Sequence, residues 1–276
     1  MPLFKKVAIV GTGLIGGSLG LAIREKHLAS EVVGISRTQK NIDCAVASGA
    51  VHSGSRELDI IKGADLVILA LPVQSISVCA KKVSEFIGPE CIVTDVGSTK
   101  QHIVSHASRL FKNFIGGHPL AGSEKRSVQF ASPELFKKSF CILTPTKTTP
   151  TRSLKKLTSL WNAVGARVVY LPPSEHDKIL AMVSHMPHMI SFSLINSIPE
   201  RYLKFATPSL KEMTRIAGSD PGLWNDIFET NTKSILAALS AFEKNLRDLR
   251  NAVSSRQKIT VKRLLKKAQE KRGRIQ

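Results

Sequence analysis

The chain has 276 residues, of which 42% are hydrophobic and 22% charged, enough apolar side chain for a sizeable core and too much for a disordered polar chain. Its 40 Lys and Arg outnumber 21 Asp and Glu, leaving a net charge of +19 that directs attention to anionic partners. No uninterrupted apolar run approaches the roughly 18 residues of a membrane span.

In chain order, Met1-Pro2-Leu3-Phe4-Lys5-Lys6 leads straight into the apolar run Lys6–Val10, leaving no room for a signal peptide, so the expected compartment is the cytoplasm and no membrane partner is expected. Lys6–Val10 reads as a buried strand and Leu14–Arg24 as a helix. Residues 31–36 form a second strand, 41–48 a helix, 65–70 a strand stopped by Pro72, 73–86 a helix and 91–95 a strand. Further strands are predicted over 114–117, 140–144 and 166–171. Strands alternating with helices predict a parallel, doubly wound α/β sheet covered on both faces. Past Pro172-Pro173 only helical periods remain, over 175–197, 202–215, 221–233 and on to about Lys267. The expected organisation is therefore a dinucleotide-binding-type domain over 1–172 and an all-α domain over 173–276. The latter has more apolar faces than about a hundred residues can cover, which predicts dimerisation through it.

Much of the positive charge sits between Arg247 and Arg274, on what reads as one long polar-faced helix. No aromatic residues interleave to stack on bases, so a solvated face is expected rather than nucleic-acid binding. Cys44, Cys79, Cys91 and Cys141 are irregularly spaced, without a C-x-x-C pair, and read as reduced thiols. No zinc site is expected.

Gly11-Thr12-Gly13-Leu14-Ile15-Gly16 is a G-x-G-x-x-G loop that follows a strand and opens a helix, the context a dinucleotide-binding (Rossmann) site requires. Gly11 permits the tight turn, Gly13 the approach of a pyrophosphate and Gly16 close helix–strand packing, with Leu14 and Ile15 presenting the helix N-terminus. At the end of the second strand, an acidic residue would hold the ribose hydroxyls of NAD. Ser36-Arg37-Thr38 stands there instead, with Lys40 close behind, which favours NADP. Arg37 as a loop residue stacked on adenine, with NAD as cofactor, is the alternative.

Five further segments follow in order: 94–100 (TDVGSTK), 116–125 (GGHPLAGSEK), His176-Asp177, 184–188 (SHMPH) and 214–224 (TRIAGSDPGLW). Together with the glycine loop they closely resemble the prephenate/arogenate dehydrogenase family over nearly the whole chain to about Asn231. The resemblance implies NAD(P)-dependent oxidative decarboxylation of prephenate, a small dianion, on the route to tyrosine. Hydride leaves C4 of the ring as CO2 leaves C1, and the ring becomes aromatic. The protein must then accept the 4-hydroxyl proton and clamp two carboxylates. By resemblance His118 is the general base, a suitable group at neutral pH, and Ser98 holds the same hydroxyl. From the residues alone His118 could equally cap the turn before Pro119, and Ser98 could cap the next helix. Ser123, Glu124 and Lys125 resemble the family's active-site loop, and His188 and Arg215 its substrate-carboxylate clamp. His185 and His188 lie one turn apart, on a helix face expected to point at the cleft. Glu212 with Arg215 is either part of that network or an ordinary i,i+3 surface pair. His176 reads as a helix-opening residue of lower rank, and Trp224 as core.

Arogenate, with an ammonium in place of the keto group, is the alternative substrate, and Ser36-Arg37-Thr38 resembles some NADP-using arogenate enzymes. The 122–125 stretch looks more like prephenate users. A dinucleotide-binding sensor without turnover is the reading from another class; a base opposite the nicotinamide argues against it.

Overall fold

The computed structural model describes residues 1–122 and 127–275. Among the described residues, eight strands form one sheet in the order β3-β2-β1-β4-β5-β6-β7-β8. They are β1 (Phe4–Val10), β2 (Ala29–Ile35), β3 (Ser53–Ser55), β4 (Leu66–Leu69), β5 (Ile92–Asp95), β6 (Phe114–Pro119), β7 (Phe140–Thr144) and β8 (Arg167–Tyr170). Helices α1 (Leu14–Glu25), α2 (Gln39–Ala47), α3 (Val73–Val83), α4 (Gln101–Leu110) and α5 (Thr151–Ala163) cover it. β4 and the Val7–Val10 stretch of β1 are wholly buried because helices lie on both faces, which is why they read as unbroken apolar runs. One core face gathers Ile9, Leu19, Ile23, Leu157 and Trp161, and the other Val10, Val67, Ile76, Val93 and Ile103.

The sequence predicts a wholly parallel sheet, and the structure departs from it at one pair: β7 runs antiparallel to β6, with His118 opposite Ile142. A parallel return needs a crossover, usually a helix. Between β6 and β7 the described residues hold only a 3-10 turn, Val128–Phe130. α5 then supplies a crossover, and β8 lies parallel to β7.

Beyond β8 the chain is helical. α6 (Pro173–Leu180), a π turn (Ala181–His185) and α7 (Met186–Asn196) run on as one 24-residue helix. By length and mean hydropathy this helix could cross a membrane, although no run of its sequence is purely apolar. It carries the buried and hydrogen-bonded Asp177 and His185, inside protein rather than facing outward. The expected single helix over 202–215 is instead a 3-10 segment (Glu200–Phe205) and α8 (Pro208–Thr214). Pro208 holds Thr207 in extended backbone, and the Thr207 hydroxyl caps α8. α9 (Pro221–Thr230) and α10 (Thr232–Ser254) follow. The basic tail is not one helix, because Arg256, at φ +52°, separates α10 from α11 (Lys258–Arg272). The buried core of this helical part is small, centred on Ala181, Ile235 and Ala238, while Met182, Val183, Phe205 and Met213 are exposed.

Candidate active site

A cleft of about 660 Å3 opens at the carboxyl ends of β1, β4, β5 and β6 and is closed on one side by α9. Ligands bind at this edge of open α/β sheets. Gly13–Gly16, Leu71, Ser98, His118 and Leu223 are among its walls.

The glycine loop forms one end. Gly11 has φ +102°, and a Cβ there would lie 2.2 Å from the Ala70 carbonyl oxygen; a Cβ on Gly16 would lie 2.0 Å from that of Gly11. Neither position accepts another residue. Gly13 caps α1 without any side-chain hydrogen bond, so the first N–H groups of α1, beginning at Leu14 and Ile15, are left for a ligand. The backbone here fits a pyrophosphate. Ser36 is half-buried and Arg37 exposed at the end of β2, and the Thr38 hydroxyl oxygen accepts from Asn41 N, capping α2. The nearby acid Asp43 is engaged by Gln39.

His118 and Ser98 line the same cleft, from β6 and from the turn after β5. Ser98 is not the cap of α4. That task falls to Asp177 of α6, whose two carboxylate oxygens accept from Lys100 N at 2.7 Å and Gln101 N at 2.9 Å. A carboxylate at a helix N-terminus meets both the unpaired N–H groups and the positive end of the dipole.

His176, ranked low from sequence, turns out to be a direct neighbour of His118. Its Nε2 lies 2.8 Å from His118 Nδ1, and its Nδ1 lies 2.8 Å from Asp177 Oδ1. The carboxylate can only accept, so His176 carries its proton on Nδ1 and presents Nε2 as an acceptor. With both rings neutral, His118 must then donate from Nδ1, which leaves a lone pair on His118 Nε2. Burial, with the charges of His176, Lys100 and His185 nearby, holds the His118 pKa well below the ordinary imidazole value. Burial also lowers that of His176, against the opposing pull of Asp177.

Beneath the site lies a buried ion pair. Lys100 Nζ bonds to Asp95, and also to the Gly117 carbonyl at 2.8 Å. Asp95 accepts from Gly97 N and Gly117 N, so one carboxylate ties the turn bearing Ser98 to the strand bearing His118. Burial raises the Asp95 pKa and lowers that of Lys100, and the mutual attraction opposes both shifts.

The other expected site residues are less gathered. His185 does not face the cleft as expected: it is buried, pushed down to about 4 by burial, and its Nδ1 accepts from Asn231. The Asn231 amide also donates to the Asp177 carbonyl, locking α6 to the start of α10. His188 stacks on Trp224 with centroids 3.7 Å apart, and its Nδ1 donates to the Ser184 carbonyl. Arg215 is exposed at the end of α8, and its charge, after burial, helps lower the His188 pKa. Among the described residues, neither His188 nor Arg215 is part of the cleft wall, and no ion pair joins Arg215 to Glu212. Ser123, Glu124 and Lys125 fall outside the described residues.

A mostly parallel nucleotide-binding sheet, a buried pair of imidazoles at its carboxyl edge and a helical second part define a dinucleotide-dependent oxidoreductase. Family comparisons narrow this. Residues 19–170 match the prephenate dehydrogenase nucleotide-binding domain and residues 172–267 the prephenate dehydrogenase dimerization domain. The chain belongs to the prephenate dehydrogenase family. It is 32% identical to the prephenate dehydrogenase of Bacillus subtilis (strain 168), covering 96% of this chain and 75% of that one. It is also 32% identical to the cyclohexadienyl dehydrogenase of Zymomonas mobilis, covering 92% and 90%. Among solved structures, Aquifex aeolicus prephenate dehydrogenase in complex with hydroxyphenyl propionate and NAD+ superposes with a TM-score of 0.91 at 33% identity, covering 99% and 98%. Synechocystis arogenate dehydrogenase superposes at 0.87 with 30% identity, covering 97% and 99%.

Proposed function

We propose that the protein oxidises and decarboxylates prephenate to 4-hydroxyphenylpyruvate, with His118 as the base and NADP as the preferred cofactor. The observation that carries the reaction is the His118–His176–Asp177 chain, which engages His118 Nδ1 and so leaves Nε2 as the acceptor of a residue that lines the cleft together with Ser98. In this reading the 4-hydroxyl of prephenate donates to Nε2 and Ser98 steadies the same oxygen. The bound nicotinamide supplies the hydride acceptor for C4. As positive charge develops on His118, its Nδ1 proton shifts to His176 Nε2, and the imidazolium is held by the Asp177 carboxylate. The base thus stays neutral before the step and is relieved of charge during it. As CO2 leaves, the C1–carboxyl electron pair passes into the ring, which becomes an aromatic phenolate; that oxygen takes the proton back from His118 Nε2 while His176 Nε2 returns its proton to His118 Nδ1, so both rings end neutral.

Substrate-carboxylate binding is assigned to His188 and Arg215, and Ser123, Glu124 and Lys125 to the substrate-binding loop, with Glu124 as a partner for the arginine. A guanidinium suits a dianion, and the exposed position of Arg215 leaves it free to turn toward a ligand. NADP rests on Ser36-Arg37-Thr38 standing where an acid would select NAD; NAD+ is the dinucleotide bound in the Aquifex relative and is the second reading. Arogenate is the second substrate, favoured by the likeness to the Synechocystis enzyme. We assign nucleotide binding to 1–172 and dimerisation to 173–276. The thin core of the latter and the exposed Met182, Val183, Phe205 and Met213 support a homodimer.

The test is reduced-dinucleotide formation with prephenate and arogenate, each crossed with NADP+ and NAD+. Prephenate with NADP+ should give the highest kcat/KM. Turnover of neither substrate would overturn the reaction; preference for arogenate would overturn the substrate alone.

A further inference from the structure

The strand ends bordering the glycine loop carry a second guanidinium. The Gly11 N–H donates to the Ile35 carbonyl at 2.9 Å, and the Ser36 N–H to the Ser55 carbonyl at 3.3 Å. β2 and β3 pair in parallel with Ile35 opposite Ser55, so the next residue on each strand, Ser36 and Arg56, emerges at the same edge. Parallel neighbours lie about 4.8 Å apart, which sets Arg56 beside the Ser36-Arg37-Thr38 segment, on the side away from the glycine loop. Arg37 and Arg56 are both exposed, and neither has a hydrogen bond or ion pair to any described residue. Asp43, the acid that could neutralise them from α2, is held by Gln39, and the chain turns away after Arg56, where Ser55 Oγ accepts from Glu57 N.

We propose that Arg56 is a second cofactor-specificity residue, closing on the 2′-phosphate of an adenosine ribose from β3 while Arg37 closes on it from β2. The inference rests on the NADP reading above and deepens it. Two guanidiniums from adjacent strand ends form a fork around a dianionic phosphate, which accepts several charge-assisted hydrogen bonds at once. An NAD site has no use for this pairing, since a ribose hydroxyl carries no charge for a second cation to meet. The signal is absent from the glycine motif and its usual downstream acid, because β3 is only three residues long and without apolar periodicity.

The probes are adenosine 2′,5′-bisphosphate and adenosine 5′-monophosphate, which differ only by the 2′-phosphate. They are titrated calorimetrically into the wild type, Arg37→Ala, Arg56→Ala and Arg56→Lys. Arg56→Ala should weaken the bisphosphate about tenfold or more, the usual loss for one charge-assisted contact, and leave the monophosphate within twofold. kcat/KM for NADP+ should fall in parallel, with that for NAD+ unchanged. Arg56→Lys should recover part of the loss. If Arg37→Ala weakens the bisphosphate and Arg56→Ala does not, this inference fails while the NADP reading stands. If Arg56→Ala weakens both probes equally, Arg56 stacks on adenine and the inference also fails. If the wild type binds both probes alike, the NADP reading fails and Arg56 goes with it.

Discussion

Replacing His176 by Leu isolates the tautomer argument. Leucine keeps an apolar side chain against His118 but removes the acceptor 2.8 Å from His118 Nδ1, leaving Asp177 to cap α4 as before. A buried N–H without a partner costs about 1–3 kcal/mol. His118 escapes that cost by moving its proton to Nε2, the atom that must be bare in the proposed reaction. At 1.4 kcal/mol per decade, the competent tautomer falls about tenfold to a hundredfold. kcat for prephenate should fall by the same factor and KM by little, since His176 has no part in the cleft wall. His176→Gln, whose Oε1 can accept from Nδ1, should recover part of the loss. The assay is initial-rate formation of reduced dinucleotide, with folding checked by circular dichroism. A kcat for His176→Leu within twofold of wild type, or a Gln variant no better than Leu, would refute the reasoning.

Arg215→Ala should raise KM for prephenate about tenfold or more with a smaller change in kcat, because a charge-assisted clamp acts in ground and transition states alike; an unchanged KM moves the carboxylate site elsewhere. Stability should decline in acid. The His185 pKa is lowered to about 4 by burial, so below the unfolded value near 6.5 the unfolded chain binds a proton that the native state refuses. From that residue alone the loss is about 2 kcal/mol between pH 7 and pH 5. His118 and His176, also lowered, act in the same direction. Urea denaturation midpoints at the two pH values measure it, and equal stability at pH 5 would contradict the burial argument.

The sheet was legible where burial is two-sided or local chemistry is strong. β1 and β4 announce themselves as unbroken apolar runs, and the glycine loop fixes its own turn. β3 was hidden because a three-residue polar edge strand has no periodicity, and the reversal at β7 because strand direction depends on the connection rather than the strand. Of the site, His118 and Ser98 were found through motifs that travel with their strands. The role of His176-Asp177 was not, since 58 residues separate His118 from His176 and only the docking of α6 against α4 joins them. An Asp capping a helix from 77 residues away leaves no local signal either; the readable candidate, Ser98, was the wrong one. Arg37 is placed at the end of β2 by its sequence position alone, whereas setting Arg56 beside it takes the register of β3.

In the proposed reaction His118 Nε2 takes the hydroxyl proton of prephenate. The most direct measurement is kcat for His118→Asn beside wild type, with prephenate affinity followed separately by ligand titration. Losing a general base costs about two to four orders of magnitude, so kcat should fall that far while prephenate binding stays nearly intact. A His118→Asn enzyme that keeps more than about a tenth of wild-type kcat would contradict the account.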